Sequence, residues 1–264
     1  MKKAKIVWIT GASSGIGEAM AIEFAKEGYS IILSARNMAA LEKVKDKCIY
    51  FGSHTLIVPL DLTITETIDK AVTTIEKEFG TIDVLVNNGG ISQRSWVAET
   101  PLDIDRKIME IDYFGHVYLT KKILPKLIKQ KSGHIIVISS LSGLFGFPMR
   151  SAYCAAKHAL HGFFESLRAE HFNDNIHVTM VCPGRVNTNI SYHALTASGT
   201  EHGQMDDGQK YGMPVKKAAK KIMRAYKRRK KEVLVGQKEI LMAYFKRFLP
   251  FLFYAILKKV EPNS

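Results

Sequence analysis

A chain of 264 residues with 46% apolar and 24% charged side chains has the composition of a globular domain and is long enough to bury a sizeable core. Its net charge of +13 is local: residues 1–208 carry 22 basic and 22 acidic side chains, so the 16 basic and 3 acidic ones of residues 209–264 account for the whole excess. Cys48, Cys154 and Cys182 form neither a CxxC spacing nor a Cys/His cluster, so neither a disulfide framework nor a metal site is suggested, and a reducing, cytoplasmic setting is expected.

The N-terminal MKKAKIVWITGASSG has too few apolar residues before its glycines for a secretory signal and reads as a first strand. From Ile6 to Val181, the β-branched runs IVWIT, IILSA, HTLIV, IDVLV, GHIIVIS and IHVTMV alternate with stretches of helical period at Gly15–Gly28, Ile64–Phe79 and Ser151–His171. Alternation of this kind predicts one α/β domain with a doubly wound, mostly parallel sheet and right-handed crossovers. Residues 186–213 are polar and dotted with Gly199, Gly203, Gly208 and Gly212, longer than most connections, and are predicted to form a mobile substrate lid. A basic helix over Val215–Lys231 and a strand, EVLVG, complete a catalytic domain spanning 1–236, and an apolar, basic tail spans 237–264.

Between the first strand and the first helix, TGASSGIG sets Gly11, Gly15 and Gly17 where a backbone can approach a pyrophosphate at a helix N-terminus. A tight packing turn is the competing reading. With the segments described below, this GxxxGxG spacing makes residues 5–235 resemble the short-chain dehydrogenase/reductase family. The resemblance implies a Rossmann-like fold, a nicotinamide dinucleotide and cofactor contacts at Gly11, Ser13, Ser14, Gly15, Ile16 and Gly17. A GxxxxGK[ST] loop is missing, which argues against an ATPase.

After the second strand come Ala35, Arg36 and Asn37, where an NAD site would place a carboxylate for the ribose hydroxyls. Arg36 offers a planar, permanently charged donor suited to a 2′-phosphate, so NADP(H) is the expected cofactor, with Asn37 beside it. In the family, the position of Asp61-Leu62 meets the adenine ring; an aspartate that caps the next helix is the local alternative. The segment Asn87, Asn88, Gly89, Gly90 resembles the family's NNAG with glycine in place of alanine, a change expected to matter little sterically.

Tyr153 and Lys157 are four apart and share a helix face. The same spacing occurs at Tyr118/Lys122, Tyr226/Lys230 and Tyr254/Lys258, but only Tyr153 has a serine thirteen residues upstream, Ser140, at the end of the fifth strand. Carbonyl reduction puts negative charge on oxygen, which Tyr153 would protonate while Ser140 donates a hydrogen bond. An ammonium at Lys157 is expected to lower the phenol's pKa. From the resemblance, Lys157 also holds the nicotinamide ribose, and PGRVNT sets Pro183, Gly184, Val186 and Thr188 beside the nicotinamide. Where the family usually has asparagine, EIDYFG supplies Asp112, whose carboxylate favours charged Lys157 and opposes ionised Tyr153.

The reading is a hydride-transferring oxidoreductase on a carbonyl or alcohol. Two others compete: an NADPH-binding regulator with little turnover, motivated by Asp112, and a nucleic-acid binder, motivated by the tail. The tail lacks a nucleic-acid motif and its aromatics cluster with apolar residues, so no nucleic-acid partner is expected. Trp96, Leu144, Phe145, Phe147 and Met149 suggest a lipophilic substrate such as a steroid, retinoid or long-chain ketone, or else core or interface packing. The family is commonly a homodimer or homotetramer through its long helices. Ile240–Leu257, interrupted by Lys246, Arg247 and Pro250 and flanked by Lys258 and Lys259, is a poor membrane span. It is expected either to lie peripherally on an anionic membrane or to pack over the pocket or a subunit interface.

Overall fold

A computed structural model of the chain describes residues 4–258; Lys259 lies outside the described residues. Seven parallel strands form one sheet in the order β3-β2-β1-β4-β5-β6-β9, with β1 Ile6–Thr10, β2 Ser30–Ser34, β3 Thr55–Ile57, β4 Val84–Asn87, β5 Gly133–Ile138, β6 Ile176–Pro183 and β9 Glu232–Val235. Strand β1 is buried along its whole length because both faces are covered. Its side chains alternate: Val7 and Ile9 enter one core, and Ile6 and Trp8 the other.

The first core is closed by α1 Gly15–Lys26, α2 Met38–Tyr50 and α8 Val215–Lys227. Its face of α8 buries Ala218, Ala219, Ile222 and Met223 while Lys216, Lys217, Lys220 and Arg224 stay exposed, so much of the basic stretch is the solvated side of an amphipathic helix. The second core is closed by α3 Thr65–Phe79, α5 Gly115–Lys129 and α6 Ser151–Glu170, with Phe164 and Trp8 fully buried. Burial of each such side chain contributes roughly 1.5–3 kcal/mol. All three cysteines are free and buried.

The chain runs outward from β1 to β3 and then crosses back to place β4 on the other side of β1. That reversal opens a crevice beyond the carboxyl ends of β1 and β4, where ligands bind in doubly wound sheets. Helix α4 Leu102–Met109 joins α5 through a π-helical turn at Glu110–Phe114, a kind of irregularity common at functional sites.

Residues 186–213 are built into the structure at both ends. Strand β7 Val186–Asn187 pairs in parallel with β8 Met213–Pro214, and a short helix, α7 Asp207–Lys210, lies between them. Leu195 bridges to Gln93, and Ser191, Ala194 and Asp206 are buried. The tail forms two helices, α9 Leu241–Phe248 and α10 Pro250–Leu257, separated at Leu249 with Pro250 opening the second. Phe253 is buried against Phe145, and Met242, Phe245 and Ile240 pack with Leu141 and Cys182. Phe248 and Phe251 on the outer side are 72% and 75% exposed. Among the described residues no helix is long and apolar enough to cross a membrane.

Candidate active site

A cleft of about 550 Å³ lies at the switch point. It is lined by Gly11, Ser13, Ser14, Gly15, Ile16, Arg36, Asn37, Asp61, Leu62, Asn88, Gly89 and Gly90 at one end, and by Ser140, Tyr153, Lys157, Pro183, Gly184, Val186 and Thr188 toward the other. Two residues singled out from the sequence, Gly17 and Asp112, sit behind its wall.

The glycine turn is held by a fixed frame. Gly11 and Gly15 have φ of +61° and +60°, which side chains disfavour, and a Cβ on Gly11 would stand 2.6 Å from Gly89 Cα. A Cβ on Gly17 would collide with the Gly11 carbonyl and the Asn88 amide, so Gly17 acts through packing. Asn88 Nδ2 donates to the carbonyls of Thr10 and Gly11 at 2.9 and 3.1 Å, while Thr10 Oγ1 accepts from the amides of Asn88 and Gly89 at 3.0 and 3.1 Å. Asn88 therefore uses its amide on the turn. The Ser14 side chain makes no capping bond to α1, leaving that helix's first amides available to an anion.

Arg36 is exposed at the cleft and pairs with no carboxylate among the described residues. Asn37 Oδ1 caps α2 by accepting from Ala40 N at 3.0 Å. Asp61 Oδ1 accepts from the amide and hydroxyl of Thr63 at 2.9 and 2.8 Å, a local turn ahead of α3, whose N-cap is Ile64 without a side-chain bond, so Asp61 does not cap that helix and stays beside the cleft. A Cβ on Gly89 would lie 2.8 Å from Leu62 Cδ1, the far end of a flexible side chain, so glycine and alanine differ there by a small rotation of Leu62.

At the other end, α6 presents Tyr153 and Lys157 to the cleft. Lys157 Nζ stands 5.5 Å from the Tyr153 ring centroid, 3.1 Å from Asp112 Oδ2, and donates to the Ile138 carbonyl at 3.3 Å. Asp112, on the π-helical turn, is fully buried, and its Oδ1 accepts from Ile91 N at 2.8 Å. Gly90 makes room for this pair, since a Cβ there would approach both carboxylate oxygens at 3.2 Å and Nζ at 3.3 Å. Ser140 Oγ accepts from Ser142 N at 3.1 Å and donates to the Pro183 carbonyl at 3.4 Å.

The electrostatics correct one expectation. Burial raises the pKa of Tyr153, and Asp112 adds to the rise, against the lowering by Lys157 and the Ser140 hydroxyl; the net direction is upward. Burial opposes the charge on Lys157, but Asp112 and Tyr153 outweigh it, so its pKa is also raised. Burial raises the Asp112 carboxyl, against Lys157 and the Ile91 amide. His116 is buried, its Nε2–H donates to Gly89 O at 2.6 Å, and burial pushes its pKa down to about 3, which makes it a neutral support and no proton donor.

The other Tyr-x-x-x-Lys pairs are engaged elsewhere: Tyr118 donates to Asp69, Tyr226 bonds Tyr29, and Tyr254 meets Lys246. Of the apolar residues proposed for the substrate region, Phe145 and Phe147 line the cleft; Trp96, Leu144 and Met149 do not. Trp96 is half exposed, and Leu144 packs beneath the tail. Sequence reasoning missed Arg94, Arg150, Asp206, Glu239 and Met242, which also line the cleft. It also missed Gln93, whose Oε1 accepts from the amides of Ala152 and Tyr153 at 2.9 and 3.4 Å and so caps the helix that carries Tyr153. A lone glutamine in a loop carries no spacing signal.

A switch-point cleft with a glycine turn at one end and serine, tyrosine and lysine at the other defines a nicotinamide-type oxidoreductase fold. The short chain dehydrogenase family model matches residues 5–197, and the chain belongs to the short-chain dehydrogenase/reductase family. It is 42% identical over 260 residues to the Drosophila melanogaster "Dehydrogenase/reductase SDR family protein 7-like", covering 97% of this chain and 80% of the relative. Among solved structures it is similar to a variant of the actinorhodin polyketide ketoreductase with NADPH (TM-score 0.68, 29% identity, 70% and 72% of the chains covered). It also shares its fold with a Burkholderia phymatum short-chain dehydrogenase/reductase in complex with NAD (TM-score 0.83, 21% identity, 99% and 97% covered).

Proposed function

We propose that this chain is an NADP(H)-dependent reductase or dehydrogenase acting between a carbonyl compound and its alcohol. The observation that carries the reading is one cleft bounded by Ser140, Tyr153 and Lys157 at one end and, at the other, by the glycine turn and an exposed Arg36 with no carboxylate partner among the described residues. The cradle fits a dinucleotide: Gly11 has no room for a side chain, and the α1 amides lack a side-chain cap. Gly11, Ser13, Ser14, Gly15 and Ile16 would hold the pyrophosphate, Arg36 and Asn37 the 2′-phosphate, Asp61 and Leu62 the adenine, and Pro183, Gly184, Val186 and Thr188 the nicotinamide.

When bound, the nicotinamide supplies hydride to the carbonyl carbon. The Tyr153 phenol gives its proton to the oxygen as charge develops, Ser140 donates a second hydrogen bond, and charged Lys157 stabilises the phenolate left behind. Asp112 keeps Lys157 charged and positioned from behind. The regulator reading is disfavoured, because a protein that only binds nucleotide has no use for a buried acid beside an ammonium.

The substrate is a carbonyl compound with an apolar body, received by Phe145, Phe147 and Met242. Residues 186–213 act as its lid, and the tail that begins at residue 237 packs on the catalytic domain 1–236 and lends Met242 to the cleft. The outward Phe248, Phe251 and Leu241 beside Arg247 support peripheral attachment to an anionic membrane. As in the family, a homodimer or homotetramer is the proposed assembly. Following cofactor oxidation over a panel of ketones and aldehydes tests the reading: NADPH should be consumed with at least one of them and NADH far more slowly. Failure of every carbonyl with both cofactors would refute it.

A further inference from the structure

Two guanidinium groups share one carboxylate at the substrate end of the cleft. Arg94 and Asp206 are buried, with side chains 2% and 4% exposed. Arg94 engages all three of its nitrogens: Nη2 and Nε bond Asp206, Nε at 3.3 Å, and Nη1 donates to Ser92 Oγ at 3.0 Å and to Gln93 O at 2.6 Å. That pair is complete and electrically balanced.

Arg150 is left with the surplus. Its Nη2 reaches Asp206 Oδ2 at 3.1 Å, its guanidinium lies 4.8 Å over the Phe147 ring, and its side chain is 12% exposed. Among the described residues its guanidinium makes no further hydrogen bond and meets no second carboxylate. Burial and the repulsion of Arg94 push its pKa down to about 10, so it is charged at neutral pH. The other charges nearby do not balance it. Lys157 is matched by Asp112, and Glu239 Oε1 accepts from the backbone amides of Arg185 and Gln237 at 2.8 and 3.1 Å. A nearly buried positive charge without a full partner is costly, and its planar donors match an anionic oxygen group.

We propose that Arg150 receives an anionic oxygen group, carboxylate or phosphate, carried by the substrate, so that the site selects carbonyl compounds bearing an acid. The inference rests on the carbonyl-reduction reading for its function, though the anion site itself does not. Arg150 precedes α6 and stands three residues before Tyr153, while Phe145, Phe147 and Met242 line the same space, so the substrate is an amphiphile with a reducible carbonyl, an acid and an apolar body. Met149 adopts a left-handed φ of 60° immediately before Arg150, a local strain of the sort kept where a neighbouring side chain must be aimed.

Calorimetry on the full-length protein with NADPH present tests the site without turnover, using 4-tert-butylbenzoate, 4-tert-butylphenyl phosphate and the neutral 4-tert-butylbenzamide. At least one anion should bind about tenfold or more tighter than the amide, and the better anion identifies the acid. Arg150→Gln should bring that ratio close to one. Arg150→Lys, which keeps the charge, should leave it between one and the parent value, and provides the reading if the glutamine variant does not fold. In kinetics, the kcat/KM ratio of 4-acetylbenzoate to its methyl ester should exceed one in the parent and collapse in the glutamine variant. Equal binding of anions and amide by the parent, or a ratio that survives Arg150→Gln, overturns the proposal. Anion binding without turnover of any ketone would uphold it and sink the reductase reading instead.

Discussion

The Asp112 carboxylate stands 3.1 Å from the Lys157 ammonium, with both side chains buried. Burial is the main cause of the raised Tyr153 pKa, and this pair adjusts it, the lysine lowering it and the aspartate's negative charge partly cancelling the lysine. Asp112→Asn removes that charge, so the pKa values of Tyr153 and Lys157 both fall. Reduction needs the protonated phenol, so the alkaline limb of its pH profile should move to lower pH, while alcohol oxidation, which needs the phenolate, should extend to lower pH. Activity at pH 7 should be kept or raised. A large loss, or limbs that stay in place, would mean that the carboxylate has another task.

On the proposed reading, Arg36 sets the cofactor preference. Arg36→Asp replaces a cation with a carboxylate that repels a 2′-phosphate, so the ratio of kcat/KM for NADPH over NADH should fall by roughly 100-fold, about 2.7 kcal/mol, or reverse. Measuring both cofactors with one carbonyl substrate gives the ratio directly. Equal efficiencies in the parent protein would contradict the assignment.

The fold was readable because strands buried on both faces, such as IVWIT and GHIIVI, are apolar throughout and separated by helical periods. Tyr153 and Lys157 were found through Ser140 upstream, a feature that the three other Tyr-x-x-x-Lys pairs lack. What escaped was made by distant parts of the chain. Arg94, Arg150 and Asp206 are separated by up to 112 positions, and nothing local marks any of them. The upward pKa of Tyr153 was also hidden, since helix spacing gives its distance to Lys157 but not its burial. For the tail, the sequence left membrane and packing alternatives, and the structure shows an inner apolar side on Phe145 with an outer one exposed.

Stability should depend on two buried histidines. His116 and His134 have pKa values pushed down to about 3 by burial, against 6.5 for a free imidazole. An unfolded chain takes up protons on them below 6.5 while the folded chain does not, so stability is full above that pH and is lost as pH falls toward 3. At pH 5 the loss is at most about 2 kcal/mol for each residue. Urea midpoints should fall between pH 7 and 5, and His134→Gln should have a shallower pH dependence. An unchanged slope in that variant would assign the acid sensitivity to other groups.

Because Phe253 is buried against Phe145, deleting the tail would uncover core, and the cleaner test of membrane attachment changes its outer face. Phe248→Ser with Phe251→Ser should leave thermal stability close to that of the parent, since both side chains are largely exposed. Flotation with anionic vesicles should recover the parent at low salt, less of it at high salt, and little of the double variant. A parent that stays in the dense fraction at low salt would leave the tail with a packing role.

Tyr153 bears most directly on the account. Tyr153→Phe removes one hydroxyl, and turnover should fall by at least about 100-fold, the usual contribution of a positioned acid. NADPH binding, followed by calorimetry, should stay within about threefold of the parent, about 0.65 kcal/mol. Reductase activity retained in the phenylalanine variant, with binding intact, would show that the proton comes from another group.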